Sequence, residues 1–116
     1  MKTDLSERLF AFAVGSLKFI RKLPDTAECK VIKYQLAKSS TSSGANYEES
    51  QAGSSKAEFN NKVRISLREM KESNYWLRIV KAIIKDEIPL RDLDWLIIES
   101  KELENILGSI AQKTRK

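Results

Sequence analysis

The chain has 116 residues, a formal net charge of +5 and a pI near 9.4, a size that suits one domain spanning residues 1–116. Cys29 is the only cysteine, so an intrachain disulfide is excluded and a reducing, cytoplasmic setting is expected. Histidine is absent, which removes the commonest general base and transition-metal ligand, and no apolar run approaches the roughly 20 residues of a membrane span.

The N-terminal segment carries Asp4, Glu7 and Arg8 ahead of its short apolar stretch and Lys18 soon after it, which is not the pattern of a signal peptide. Asp4 with Glu7 forms the first of three capping-box candidates; Asp25 with Glu28 and Ser55 with Glu58 are the others. A fourth start falls at Asp92, after the break at Ile88-Pro89, and Pro24 separates the first helix from the second. These signals predict helices near 5–22, 26–51, 56–86 and 92–113.

In the first helix Leu5, Leu9, Phe12, Ser16, Phe19 and Leu23 fall on one stripe. The second contains residues 37–55, in which seven Ser and two Gly resemble a flexible linker. Helical spacing argues otherwise. Ala37, Thr41, Gly44 and Ala45 continue a face begun by Ala27, Val31 and Tyr34, and small residues there would admit a close neighbour, with Gly53-Ser54 ending the helix. Ser and Gly each cost about 0.5 to 1 kcal/mol relative to Ala in a helix interior, which tertiary burial must offset.

The third helix has three faces. Phe59, Val63, Leu67, Met70, Leu77 and Ile84 make its core face. Ile65, Trp76, Ile79 and Ile83 form a second apolar stripe that either packs between two neighbours in the same bundle or makes an oligomer interface. Spare apolar faces at Phe10, Val14 and Leu17, and at Trp95, Ile98 and Ile106, favour the interface. The remaining face carries Arg64, Arg68, Lys71, Arg78 and Lys85 with Tyr75 among them. Cations at this spacing can neutralise phosphates and the Tyr ring can stack on an unpaired base, so the stripe suits nucleic acid, whether RNA or DNA. A solvated helix face with ordinary ion pairs, such as Arg68 with Glu72, is the plainer alternative. Lys30, Lys33 and Lys38 are positioned to extend the patch.

Charge is unevenly distributed: residues 62–85 hold seven bases and two acids, and residues 86–104 hold seven acids and two bases. In the last helix Leu93, Leu96, Leu103, Leu107 and Ile110 form the apolar stripe, while Asp94, Glu99 and Glu102 are expected on a solvated acidic face. Asn46, Glu49 and Glu72 are candidates for a polar network inside the bundle. Four amphipathic helices with short connections predict an all-α, antiparallel up-down four-helix bundle. Without histidine, a Gly-rich phosphate loop or a nucleophile motif, neither catalytic residues nor a metal or other cofactor is expected.

Two segments carry a family resemblance: Gly44, Ala45, Asn46, Tyr47 and Glu49 in the second helix, and Glu72, Ser73, Tyr75, Trp76 and Leu77 in the third. Together they resemble the four-helix-bundle proteins encoded within intervening sequences of bacterial 23S rRNA genes, over nearly the whole chain. The resemblance implies a ring-like homopentamer and a link to nucleic acid, since a related branch supplies basic accessory subunits to the reverse transcriptases of diversity-generating retroelements. Two functions are therefore expected as alternatives: direct nucleic-acid binding through the third helix, or a scaffold that docks a protein partner such as a reverse transcriptase.

Overall fold

The computed structural model describes residues 4–53, 55–84 and 90–114. Four helices follow one another, α1 (Leu5–Ile20), α2 (Ala27–Ser50), α3 (Lys56–Ile83) and α4 (Leu90–Lys113), with no strand among the described residues. Each helix packs against its chain neighbours, and α1 closes on α4, so the four surround one core. The serine-rich segment is thus helix through Ser50; it ends in a turn where Gly53 takes a φ of +84°, a conformation glycine adopts without steric cost. Ser54, Ile88 and Pro89 lie outside the described residues.

The capping signals fare unequally. Ser55 accepts a hydrogen bond from the Glu58 amide as expected. For α2 the cap is Thr26, whose Oγ1 accepts from the Cys29 amide, one residue beyond Asp25. Asp4 occupies the cap position of α1 but its side chain accepts no capping bond, and α4 is already under way at Leu90, placing Asp92 in its first turn.

The apolar stripes of α1 and α4 pack as their periodicity predicts. Leu9, Phe12, Ser16, Phe19 and Leu23 are buried, as are Leu93, Leu96, Leu103 and Leu107, with Leu5 and Ile110 packed at the margin. On α3, Val63, Met70, Leu77 and Ile84 are buried and Phe59 and Leu67 half-buried; Ser66, Ser73, Asn74 and Val80 join them inside.

α2 departs from the expected face. Ala27, Val31, Tyr34, Thr41 and Ala45 are exposed, and the buried side is Cys29, Ile32, Leu36, Ser39, Ser40 and Ser43. The serines themselves make the packing surface: Ser39 and Ser43 find partners on α3, while Ser40 donates to the Ala37 carbonyl of its own helix. Ser39 Oγ lies 2.7 Å from Ser73 Oγ, Ser43 Oγ donates to the Ser66 carbonyl at 2.9 Å, and Ser66 Oγ donates back to the Ser43 carbonyl at 2.7 Å. A buried hydroxyl with a partner avoids the desolvation penalty that an unpaired one would carry. Gly44 brings α1 close: a Cβ there would stand 3.4 Å from Leu9 Cβ and 3.7 Å from the Leu9 backbone.

Asn46, Glu49 and Glu72 do not form one network. Asn46 donates to Ser42 within α2, Glu49 accepts from Lys62 at the surface, and Glu72 accepts from the Trp76 indole. The carboxylates of α4 also differ from a freely solvated face. Arg8 of α1 donates through Nε and Nη2 to Glu99 at 3.0 and 2.8 Å and through Nη2 to Glu102 at 2.7 Å, while Lys22 reaches Asp92 and Lys81 reaches Asp94. The bonds to Glu99 and then Glu102 raise the Arg8 pKa further above its already high ordinary value.

Candidate nucleic-acid interface

α3 is long enough to present a continuous outer face, and at about 100° per residue Arg64, Arg68, Lys71, Tyr75 and Arg78 fall within a band of about 80°. All five are exposed. Lys85, the sixth expected member, lies outside the described residues. Among the described residues, none of Arg64, Arg68, Lys71 and Arg78 makes an ion pair within 4.0 Å, whereas Lys62 and Lys81 on the same helix are paired with Glu49 and Asp94. The expected Arg68–Glu72 pair does not form, since Glu72 instead accepts from Trp76 Nε1 at 3.0 Å. Burial pushes the Glu69 carboxyl above its ordinary pKa, with the Glu72 charge adding to the rise.

One cation is held in place. Arg78 Nε donates to Asn74 Oδ1 at 2.8 Å, and Arg78 Cζ stands 5.7 Å from the centroid of the Tyr75 ring. Asn74 is itself fixed from the core side, where its Nδ2 donates to Ser100 Oγ at 2.9 Å and to the Ile97 carbonyl at 3.3 Å on α4. Through this chain α4 helps orient the Arg78 guanidinium, and Tyr75, half exposed, sits edge-on to Trp76 at 5.5 Å between centroids. Asn74 was not among the expected site residues; its i, i+4 spacing to Arg78 is the sequence signal for the contact.

The second apolar stripe of α3 divides. Trp76 and Ile79 are half-buried and pack against the core, Ile65 is half-buried, and Ile83 is exposed. Phe10, Leu17, Trp95 and Ile98 are exposed, whereas Val14 and Ile106 are half-buried. Lys30 and Lys38 are exposed on α2, and Lys33 lies 3.9 Å from Asp25. Among the described residues no cluster of His, Cys, Asp and Glu has the arrangement of a metal site, and no helix is long and apolar enough to cross a membrane.

A four-helix all-α chain with a basic outer face thus defines the class. Residues 1–109 match the family model described as 23S rRNA-intervening sequence protein, and the chain belongs to that family. It is similar to a crystal structure from Bacteroides thetaiotaomicron VPI-5482, described as a protein with unknown function from the S23 ribosomal protein family. The two share 29% identity with a TM-score of 0.80 over 93% of this chain and 98% of the other. Among curated proteins, none matches significantly.

Proposed function

We propose that this chain is a non-enzymatic, cytoplasmic, oligomeric bundle that binds nucleic acid directly through Arg64, Arg68, Lys71, Tyr75 and Arg78. The observation that supports it best is the set of four exposed cations on one helix face with no carboxylate partner among the described residues. Elsewhere in the chain several acids are engaged by other cations, Arg8, Lys22 and Lys81 among them, so they do not cancel the stripe. Phosphate contacts of this kind act through charge and read little sequence. An up-down, antiparallel arrangement is supported by the order of the contacts, since Ser39 and Ser43 meet Ser73 and Ser66, and Arg8 and Lys22 meet Glu99 and Asp92.

Self-association is the second part of the reading, through the face of Ile65, Trp76, Ile79 and Ile83, and the family resemblance implies five copies. Repeating the patch around such an assembly raises its avidity for a long ligand. Sedimentation equilibrium should give a multiple of the 13.3 kDa chain mass; a monomer would remove this part.

Fluorescence anisotropy with labelled structured RNA, single-stranded RNA and duplex DNA tests the main reading. Binding should be tight at low salt and weaken by about tenfold or more toward physiological salt. Salt-insensitive binding, or none, would favour the alternative, a scaffold that docks a protein partner such as a reverse transcriptase. The observation favouring that alternative is an apolar hollow of about 310 Å³ between α1 and α2, lined by Phe10, Ala13, Val14, Leu17 and Ala45 among others.

A further inference from the structure

Three helix-interior glycines can be compared by what a side chain would meet. A Cβ at Gly15 would lie at ordinary contact distance from Leu96 and Trp95, 3.6 and 3.7 Å, and one at Gly44 would lie 3.4 Å from Leu9, the tightest of the three. At Gly108 of α4 the nearest atom is Leu67 Cδ1 at 4.0 Å. The interior of the chain therefore gives no reason for glycine there, although glycine weakens a helix relative to alanine.

Gly108 lies on the floor of an open groove of about 350 Å³ between α3 and α4. Leu67 and Ala111 complete an apolar floor, Arg64 and Arg68 stand on one side and Gln112 on the other. The groove adjoins a second hollow that reaches Lys71, Asn105 and Ser109. Among the described residues, neither the Gln112 nor the Asn105 side-chain amide is hydrogen-bonded. The groove thus combines an apolar base, the Gln112 amide, able both to donate and to accept, and cations along one rim, with the Asn105 amide in the adjoining hollow.

We infer that this groove receives an unpaired nucleobase, with the flanking phosphates of its strand held by Arg64 and Arg68. The inference rests on the nucleic-acid reading above and adds to it a preference for unpaired strands. The base face lies over Leu67, Gly108 and Ala111, and its edge reaches the Gln112 amide, which can match donor and acceptor groups alike. A duplex keeps its bases stacked and offers only phosphates to the rim. Glycine at 108 keeps the floor flat; a larger side chain would occupy the space of the base.

The test compares fluorescein-labelled oligouridylate with an abasic ribose-phosphate strand of equal length, at low salt. Wild type should bind oligouridylate about tenfold more tightly than the abasic strand, which has no base to seat in the groove. Gly108→Leu should remove most of the preference for oligouridylate, the remainder belonging to Tyr75 of the stripe, and leave the abasic strand's own affinity unchanged. Gln112→Ala, at an exposed position that cannot disturb packing, should weaken oligouridylate by about threefold with no effect on the abasic strand. Equal binding of both strands by wild type, or variants indistinguishable from it, would overturn the groove assignment while leaving the phosphate-binding stripe standing. Failure of wild type to bind either strand would overturn both. If Gly108→Leu does not fold, Gln112→Ala decides, because a wild-type preference for bases also arises at Tyr75.

Discussion

Changing Arg64, Arg68, Lys71 and Arg78 together to Glu should weaken nucleic-acid binding by about a hundredfold or more at low salt. The circular dichroism spectrum should stay helical, because all four side chains are exposed and none is paired with a carboxylate among the described residues. Surface exchanges of this kind usually shift stability by less than about 0.5 kcal/mol each. Of the four, Arg78 has an intrachain partner, Asn74, which would then need water in its place. Total charge must be separated from its position. A control with Lys18, Arg21, Lys56 and Lys113 changed to Glu has the same net charge, −3 in place of +5, since each exchange removes two units. These four are also exposed but lie off the stripe, so the control should lose far less affinity at physiological salt, where screening confines charge effects to about 8 Å. Equal losses in the two variants would mean that net charge, not the α3 face, governs binding.

Phe12→Ala should cost about 3 to 5 kcal/mol and lower the melting temperature by roughly 10 to 20 °C. Phe12 has no exposed surface and belongs to the central cluster with Leu9, Phe19, Leu36 and Leu96. Removing its ring deletes transfer energy and leaves a cavity that four mutually braced helices cannot readily collapse. A domain of ordinary stability has about 5 to 15 kcal/mol in total, so the variant should be partly unfolded at physiological temperature if the parent sits near the lower end. Ser43→Ala makes the contrast. It removes a hydroxyl bonded to Ser66 but no appreciable volume, leaves the helical hydrogen bonds intact, and should cost only about 1 kcal/mol. Urea denaturation of the two variants checks the ordering, and a Phe12→Ala loss no greater than that of Ser43→Ala would contradict the enclosed core.

Where apolar residues dominate a face, the sequence period located the core. The stripes through Leu9, Phe12 and Phe19 and through Leu93, Leu96 and Leu103 pack inward because no competing apolar face on those helices is as continuous. On α2 the spacing of the small residues Ala37, Thr41, Gly44 and Ala45 pointed to the face of Val31 and Tyr34, which are exposed. The buried side there is held by Ser39, Ser40 and Ser43, and a serine counts as interior only when its bonding partner is known. For Ser39 and Ser43 that partner sits on another helix, Ser73 or Ser66, out of reach of any local pattern. The basic face of α3 was legible for the opposite reason, since a helical period of charge needs no partner to be seen. Its supports were not: the link from α4 through Ser100 and Asn74 to Arg78 depends on helix contacts, and the groove at Gly108 exists only between two helices.

The hydroxyl seam between α2 and α3 bears on how stability varies with temperature. Heat capacity rises on unfolding in proportion to the apolar surface released and falls with the polar surface released. Ser39, Ser40, Ser43, Ser66 and Ser73 fill positions where most bundles place aliphatic side chains, and all five are fully buried. Unfolding therefore releases less apolar and more polar surface than a leucine-packed bundle of equal length would. The heat-capacity increment should therefore be smaller than that of such a bundle, and the stability curve correspondingly broader, with shallower slopes toward both cold and heat.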